Sequence, residues 1–158
     1  MARYFRRGTS KMFFAPTIAD ISAPTEAEML AGTDLTPEIG EIEGFKFSNN
    51  PIDTPDMDTE FVSNIPGEDT GDDSSMTFYE DDTANPISTT LAKGTAGYMV
   101  LFPYGISSTD PQSGDECEVW PITVASNTRE WSAGNDAARY MVEFTLSAVP
   151  DTASAVVA

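Results

Sequence analysis

Almost all side chains in this sequence that can take part in chemistry are carboxylates. The chain has 158 residues, with 26 Asp and Glu against 8 Lys and Arg, no histidine and one cysteine, Cys117. Without histidine, neither a Ser-His-Asp or Cys-His catalytic group nor a histidine-rich zinc site can form. Cys117 lies among acidic residues, which raise the pKa of a thiol, so we interpret it as an inert, buried cysteine. The glycines match neither a phosphate-binding loop nor a dinucleotide-binding pattern.

Two Asp-rich segments, residues 53–58 and 68–73, are the candidates for a metal site. Calcium prefers several carboxylate oxygens, but neither segment has the spacing of an EF-hand loop. Solvated acids in turns are the simpler interpretation. Paired carboxylates also act in glycosidases, but among 26 acids some pair meets the required separation by chance. We therefore predict no catalysis, no cofactor and no specific metal site.

The charges are unevenly distributed along the chain. Four basic residues, Arg3, Arg6, Arg7 and Lys11, lie in the first eleven positions, whereas residues 47–92 contain eleven acids and no base. The formal net charge of −18 argues against phosphate binding as the main activity, because that requires clustered Lys and Arg. Two interpretations of the asymmetry stay open: the charged segments face water, or the basic end of one copy contacts the acidic middle of the next.

The elements that must position these groups are mostly strands, because period-2 alternation recurs between clusters of Gly, Pro, Asn and Asp. Residues 139–148 place apolar side chains on one face and largely polar side chains on the other. Residues 98–102 are apolar on both faces, which indicates a covered central strand. A further strand is predicted over residues 117–125, where Pro121 indicates an edge or a bulge. The predicted fold is mostly β, a β-sandwich or partly open barrel with one or two short flanking helices.

Local signals mark the two short helices. Thr25 and Glu28 fit a capping box at the start of the first helix. Gly32 is placed to end that helix in a left-handed conformation. The second helix is predicted over about residues 86–93, with Asn85 as its N-cap.

The remaining segments indicate a single domain over residues 1–150. A polar connection at about residues 48–74 is long for a compact domain, and such connections are usually functional or disordered. Gly44, just before it, is the natural position for a β-bulge. The tail at residues 151–158 is small and unpatterned, and we expect it to be mobile. The longest apolar stretch, residues 98–103, is too short to span a bilayer, and no apolar run follows the basic start, so we expect a soluble product.

Several segments of the sequence occur in a characteristic order. They are Arg-Gly-Thr-Ser-Lys-Met-Phe-Phe-Ala-Pro (7–16), Pro-Thr-Glu-Ala-Glu-Met-Leu-Ala-Gly-Thr-Asp-Leu-Thr (24–36), Ile-Glu-Gly-Phe (42–45), Ser-Met-Thr-Phe-Tyr-Glu-Asp (75–81) and Gly-Tyr-Met-Val-Leu-Phe-Pro-Tyr-Gly (97–105). In this order, from about residue 3 to residue 148, the chain resembles the major tail tube proteins of long-tailed, non-contractile bacteriophages. The resemblance implies a structural protein of the virion tail, assembled in the host cytoplasm.

The resemblance also implies how the chain assembles. In such proteins a β-sandwich with a flanking helix forms hexameric rings that stack into a tube, and the inner strands of the subunits join into one closed barrel. Genomic DNA passes through the lumen during infection without specific binding. A long loop after an early strand reaches the neighbouring ring, which makes residues 48–74 the candidate stacking loop. The implied partners are further copies of the chain and the tape measure, terminator and distal tail proteins, with no membrane.

Two sets of residues become candidates for these roles. The candidate contacts between subunits are the N-terminal arginines and the exposed side chains of the long connection: Arg3, Arg6, Arg7, Asp53, Asp56, Asp58, Glu60, Phe61, Glu68 and Asp69. The candidate lumen-facing residues are those on the more polar face of the strand over residues 139–148: Arg139, Met141, Glu143 and Thr145.

Other classes of protein share this acidic, β-rich composition. A capsid decoration protein or another virion structural protein is the first alternative, and an acidic DNA mimic that inhibits a nucleic-acid enzyme is the second. An extracellular sugar-binding module is a weaker alternative, because the sequence lacks paired cysteines. The tubes of contractile tails and type VI secretion machines are a close alternative within the same fold.

Overall fold

The computed structural model describes all 158 residues, as twelve strands, two short α-helices and one 3₁₀ turn. The helices are α1 (Glu26–Leu30) and α2 (Pro86–Thr90), and the 3₁₀ turn covers Thr36–Glu38. The strands are β1 (Lys11–Ala15), β2 (Thr33–Asp34), β3 (Ile39–Glu43), β4 (Phe47–Asn49), β5 (Ile52–Thr54), β6 (Ser63–Ile65), β7 (Asp69–Gly71), β8 (Ser74–Tyr79), β9 (Ala96–Phe102), β10 (Glu116–Glu130), β11 (Arg139–Leu146) and β12 (Asp151–Ala155). The prediction of a mostly-β chain with short helices is confirmed.

Eight strands form one antiparallel sheet in the order β2-β1-β9-β10-β11-β8-β3, and β12 pairs with β10 in line with β11. The other four strands form two separate pairs, β4 with β7 and β5 with β6. The sheet ends at β2 on one side and at β3 on the other, so it does not close into a barrel within one chain. Each of these two end strands therefore presents one edge of unpaired backbone groups.

Apolar side chains pack into two cores, one on each face of the central strands. Within β9, Met99 belongs to the larger core and Val100 to the smaller core. Ile87 of helix α2 and Leu91, directly after it, belong to the larger core, and Met29 of α1 belongs to the smaller core. Both helices have only five residues, too few to be stable alone, so this packing holds them in place. The prediction that β9 is covered on both faces is confirmed.

Strand β11 has the predicted alternation between a buried and a polar face. Tyr140, Val142 and Phe144 are buried in the larger core, whereas Glu143 and Thr145 are exposed. The strand ends two residues earlier than the sequence pattern indicates. This alternation positions the candidate lumen-facing residues, because successive side chains of a strand point to opposite faces.

Pro121 lies inside a central strand, so the predicted edge or bulge at this position is wrong. Its carbonyl accepts a hydrogen bond from the backbone N–H of Ser147 at 3.0 Å, just beyond the end of β11. Because the N and O atoms of a strand residue point to the same side, the missing N–H of Pro121 faces the gap between β11 and β12. On that side of β10, the pairing with β11 stops at Ile122 and the pairing with β12 stops at Val119. Pro121 lies between the two, so its missing N–H removes no hydrogen bond between strands.

The C-terminal residues are ordered, which corrects the expectation of a mobile tail. Strand β12 pairs with the first part of β10. Val156 is 1% exposed in the smaller core, and the hydroxyl of Ser154 donates a 2.6 Å hydrogen bond to the carbonyl of Ile21. The sequence pattern misses this strand because its side chains are small and its partners are distant in the chain.

Helix α1 begins with the predicted capping box. The backbone N–H of Thr25 donates to Glu28 Oε2 at 2.9 Å, and the N–H of Glu28 donates to Thr25 Oγ1 at 3.3 Å. The prediction of a left-handed Gly32 is wrong, since Gly32 is not among the residues with positive φ. A glycine is needed there for a different reason: a Cβ atom would lie 2.6 Å from the carbonyl oxygen of Phe14.

Helix α2 is shorter than predicted and ends at Thr90. Asn85 does not cap it, which corrects the prediction, because its side-chain oxygen accepts a hydrogen bond from the N–H of Asp81 at 2.9 Å instead. The helix is fixed at its other end by Asn127 of β10, whose Nδ2 donates to the carbonyls of Ser88 (3.1 Å) and Leu91 (3.0 Å). A tertiary contact thus satisfies the carbonyls that a C-terminal cap would satisfy.

Candidate assembly surfaces

The connection predicted at residues 48–74 is a β-hairpin rather than a structureless loop. We call residues 47–71 the arm. Its strands pair only with each other, β4 with β7 and β5 with β6, and Ile52 lies opposite Ile65 near the tip at residues 55–62. Almost every arm residue is exposed, and none belongs to either core. The arm therefore buries little within its own chain and offers a long free surface.

A short segment before the arm sets its direction. Gly44 and Phe45 both have positive φ values, +82° and +53°, which turn the chain out of β3. A Cβ atom at Gly44 would lie 2.5 Å from the carbonyl oxygen of Asp73. Phe45 packs against the larger core, and its N–H donates to Ser74 Oγ at 3.0 Å. The bulge predicted at Gly44 is thus a left-handed turn, and the register shift in β3 lies at Gly40.

The surface of the arm combines carboxylates with apolar side chains. None of its acids forms an ion pair within the chain, since the single ion pair near its root joins Lys46 to Asp72 at 3.3 Å. The exposed acids are Asp53, Asp56, Asp58, Glu60, Glu68 and Asp69. The exposed large apolar residues are Phe47, Ile52, Met57, Phe61, Val62 and Ile65. All the arm residues that the sequence identified as candidate contacts are therefore accessible.

The N-terminal segment, residues 1–10, is anchored on the loop that follows β9. The Tyr4 ring lies against the Tyr104 ring with 5.8 Å between centroids. The Ser10 hydroxyl donates to the carbonyl of Pro103 at 2.8 Å. The arginines of this segment, Arg3, Arg6 and Arg7, are exposed and form no ion pair within the chain. Sequence reasoning found these arginines but missed the tyrosine contact that holds the segment.

One face of the sheet combines the candidate lumen residues with acids from neighbouring strands. Arg139, Met141, Glu143 and Thr145 share the side of β11 that points away from the larger core. The pairing of β3, β8, β10 and β11 brings further polar side chains to the same side, and we call the whole set the acidic face. Its members from the neighbouring strands are Glu41, Glu43, Ser75, Thr77, Tyr79, Thr123, Ser126, Thr128 and Glu130.

The acidic face has more carboxylates than cations. Its single cation, Arg139, lies 3.4 Å from Glu130 through Nε and 3.8 Å from Glu41 through Nη1. Glu43 and Glu143 have no cationic partner, and Glu143 accepts one hydrogen bond, from the Ser126 hydroxyl, at 3.1 Å. The sequence identified the β11 members of this face but not those of β3 and β10, because only strand pairing brings them together.

The remaining chemical candidates lack the features of an active site. Burial, and then the charges of Asp151, Asp115 and Glu118, raise the pKa of the Cys117 thiol to about 12, so it is protonated near neutral pH and is not a nucleophile. Nowhere do three or more Cys, Asp or Glu side chains converge in an arrangement that holds a metal ion. No helix of the chain has the length and apolar character needed to cross a membrane.

The chain is a β-rich protein with an open-edged sheet, a self-paired arm and an acidic face that has few cations. The family model described as phage tail tube protein matches residues 1–158, and the chain belongs to this family. It is therefore a structural protein of a phage tail and not an enzyme. The curated proteins include no match to the sequence.

The fold is similar to components of phage-like tail systems. A sheath/tube terminator of the extracellular contractile injection system PVC, in the extended state, has a TM-score of 0.62 at 10% identity, over 95% of this chain and 98% of that chain. A chain of the anti-feeding prophage baseplate has a TM-score of 0.59 at 8% identity, over 94% of this chain and 93% of that chain. A chain from the tail of an empty gene transfer agent particle has a TM-score of 0.54 at 11% identity, over 97% of this chain and 100% of that chain. At these identities the likeness is one of fold.

Proposed function

We propose that the chain self-assembles into rings of six that stack into the phage tail tube, and that the acidic face lines the lumen through which genomic DNA passes. The observation that carries this proposal is the acidic face itself: a largely polar surface on strands whose other side is core, ending at the edge strand β3. A surface of this kind inside a ring faces the passing polymer. The number six is taken from similar structures described as 6-fold symmetrised and as having C6 symmetry.

Ring closure removes the two free edges of the sheet. Strands β2 and β3 each have only one partner in the isolated chain, and exposed strand edges promote uncontrolled pairing between molecules. Pairing with the neighbouring subunits satisfies these backbone groups and converts several open sheets into one closed barrel. The same closure places the acidic face of each subunit on the inside.

The charge of the lumen suits transport rather than binding. Carboxylates repel DNA phosphates. Arg139 is already paired with Glu41 and Glu130, so its charge is not free to bind the phosphates of the DNA. Binding of DNA depends on clustered Lys and Arg that release counterions. The polymer therefore passes each ring without a position where it is held.

Stacking uses the arm and the N-terminal segment of adjacent rings. Arg3, Arg6 and Arg7 are unpaired in one chain, and so are the six arm acids from Asp53 to Asp69. Each exposed pair contributes only ~0–1 kcal/mol and is weakened by salt, so several must act together. The apolar arm residues, Phe61 among them, add burial at the same contact.

The tube also meets the other proteins of the tail. We expect contacts with a terminator at one end, with the distal tail protein at the other end and with the tape measure protein in the lumen during assembly in the host cytoplasm. The similar structures support the first two, since they include a sheath/tube terminator, a tube-terminating cap and a baseplate chain. No step of this assembly involves a membrane.

A charge-swap experiment tests the stacking contact. One variant replaces Arg3, Arg6 and Arg7 by Glu, and the other replaces all six arm acids, from Asp53 to Asp69, by Lys. Each variant alone places like charges at every contact, so we expect no tubes in negative-stain electron microscopy. An equimolar mixture restores opposite charges between alternating rings, and tubes are expected to return.

The matched control is Lys93→Glu, which reverses an exposed cation that lies in neither segment and leaves tubes intact. Tubes from either variant alone, or none from the mixture, would contradict the stacking contact. Absence of rings and tubes in the unmodified protein, even with its tail partners present, would refute the assembly proposal itself.

A further inference from the structure

Trp131 is the largest apolar side chain that the chain leaves in water. It is 88% exposed at the start of the loop between β10 and β11, whereas the only other tryptophan, Trp120, is buried in the larger core. Its ring takes part in none of the aromatic contacts within the chain. Tryptophan is enriched among the residues that carry most of the binding energy of protein interfaces, which makes Trp131 a candidate contact residue.

An open pocket of about 290 Å³ lies where the arm joins the sheet, and we call it the root pocket. It is lined by Phe47 and Gly71 of the arm and by Leu146, Ala148 and Val149 at and after the end of β11. Phe47 is 43% and Val149 80% exposed, so apolar surface of the root pocket is uncovered in the isolated chain. Since an apolar cavity of ~150 Å³ is enough to hold benzene, the root pocket has room for the larger indole ring.

Trp131 and the root pocket lie at opposite ends of the same strand. Trp131 lies beyond the end at which Arg139 of β11 pairs with Glu130. The root pocket lies at the other end, where Leu146 pairs with Ile122. At ~3.3 Å per residue, β11 separates its two ends by about 23 Å. The indole ring therefore meets this pocket only between different copies of the chain.

A contact between opposite ends of a molecule repeats from head to tail. Such heterologous contacts build open stacks where they do not close into a ring. The strands of a barrel tilt by about 35–45° from its axis, so the two ends of β11 are displaced along the axis of a ring. One end faces the ring above and the other end faces the ring below.

We propose that Trp131 of each subunit inserts into the root pocket of a second copy of the chain in the adjacent ring. This inference rests on the proposed function, because it names a side chain and its receptor within the stacking contact. Burial of the indole ring against Phe47 and Val149 stabilises the contact through the hydrophobic effect.

The root pocket also offers an acceptor for the indole N–H. Asp69 lines the pocket, and its Oδ1 accepts a hydrogen bond from Asn49 Nδ2 at 2.7 Å. The other carboxylate oxygen of Asp69 has no partner within the chain, so it is free to accept from Trp131 Nε1. The polar edge and the apolar body of a tryptophan therefore both find a complement here.

Two variants of exposed residues test the contact from its two sides. Trp131→Ala removes the inserted side chain, and Val149→Asp places a second carboxylate beside Asp69 in the root pocket. For both variants we expect rings but no tubes in negative-stain electron microscopy and in sedimentation. The matched control is Leu30→Ala, which removes an exposed apolar side chain of α1 outside both surfaces and leaves tubes intact.

Tryptophan fluorescence gives a second readout on the unmodified protein. Trp120 is buried in the isolated chain, so a change in emission on stacking reports on Trp131. We expect the emission to shift to shorter wavelength, and quenching by acrylamide to decrease, as rings stack into tubes. Val149→Asp is expected to lose both changes.

The outcomes separate this contact from the proposed function. Tubes from both the unmodified protein and Trp131→Ala would overturn the contact and leave the proposed function intact. Tubes of the unmodified protein with unshifted emission would also overturn it, in favour of another occupant of the root pocket, such as Phe61 of an arm. Absence of rings and tubes in the unmodified protein would refute the proposed function, and this contact with it.

Discussion

Gly44 is the residue on which the direction of the arm depends. It combines a positive φ of +82° with a backbone neighbour that leaves no room for a side chain. Gly94 also has a positive φ, +88°, but nothing lies within 4 Å of the place where its Cβ would be. Substitution of Gly94 therefore measures the cost of a left-handed backbone alone, whereas substitution of Gly44 adds the cost of a steric clash.

We predict that Gly44→Ala lowers the free energy of unfolding clearly more than Gly94→Ala. Gly94→Ala is expected to lower the free energy of unfolding by about 1 kcal/mol, because only the strain of the left-handed backbone is added. Gly44→Ala must in addition move the backbone at Asp73 and Ser74, which changes the root of the arm. Urea unfolding of both variants measures the difference, and equal losses would show that the contact at Gly44 is relaxed at no cost.

Glu28 links the stability of helix α1 to pH. Burial opposes its ionisation, but hydrogen bonds from the N–H groups of Thr25 and Ala19 and from the Thr25 hydroxyl outweigh burial and lower its pKa. A carboxylate with a lowered pKa in the folded state contributes stability above its unfolded pKa, and this contribution is lost as the pH falls through the folded pKa.

We predict that Glu28→Gln lowers the free energy of unfolding by ~0.5 kcal/mol near neutral pH, because an ionised side chain near a helix N-terminus is lost. The difference between the variant and the unmodified protein should shrink as the pH falls from neutral to values below the lowered pKa of Glu28, where the carboxyl is protonated. Urea unfolding at neutral and at acidic pH measures this difference. If the two proteins differed in free energy of unfolding by the same amount at acidic pH, the stabilisation would not come from the charge of Glu28.

At the scale of elements, the arm and the main sheet are separable units. The arm strands have three residues each and pair only with each other, and no arm residue belongs to either core. Its attachment depends on Phe45 and Phe47, whose rings lie 5.8 Å and 6.2 Å from the Trp120 ring. It also depends on Gly71, whose backbone lies against the Leu146 side chain. Folding of the sheet therefore does not require the distal part of the arm.

We predict that deleting residues 50–68 and joining β4 to β7 by a two-residue turn leaves the thermal stability of the monomer almost unchanged. The same deletion should prevent tubes, because the acids and apolar side chains of the stacking contact are removed. Calorimetry and negative-stain electron microscopy provide the two readouts. Normal tubes from the shortened chain would exclude the arm as the stacking element, whereas unfolding would show that the arm supports the sheet.

At the scale of the whole molecule, the position of a charge matters more than its contribution to the total of −18. An acid on the acidic face is repeated around the proposed lumen, whereas Asp110 is exposed in the loop before β10. Replacing either residue by Lys changes the net charge of the chain by the same amount. Any difference between the two variants in a phage therefore reports on location.

We predict that Glu143→Lys leaves tubes assembled but slows genome delivery, because a ring of cations now faces the DNA phosphates. Asp110→Lys should leave both assembly and delivery unchanged. The measurements are electron microscopy of the tails and the rate of DNA ejection from the two mutant phages. Normal delivery by the Glu143→Lys phage would count against a lumen lined by the acidic face.

Features that depend on neighbouring residues were predictable from the sequence. The buried face of β11, the capping box at Thr25 and the exposed N-terminal arginines follow from side-chain periodicity, local hydrogen bonding and composition. The order of short segments also carried the resemblance to tail tube proteins, which the match over residues 1–158 confirms. The sequence by itself therefore determined the class of fold, the sign and asymmetry of the charge and the family.

Features that depend on pairing between distant residues were decided by the tertiary structure. Residues 47–71 form the arm because β4 pairs with β7 and β5 with β6, and the C-terminal residues form β12 because they pair with β10. None of these pairings leaves a periodic pattern in such short, small or polar segments. Glu41 and Glu130 reach Arg139 only because β3, β8, β11 and β10 lie side by side in one sheet. Helix caps and strand alternation depend on neighbouring residues and can be predicted from the sequence. Surfaces formed across several strands depend on pairing between distant residues, which only folding brings about.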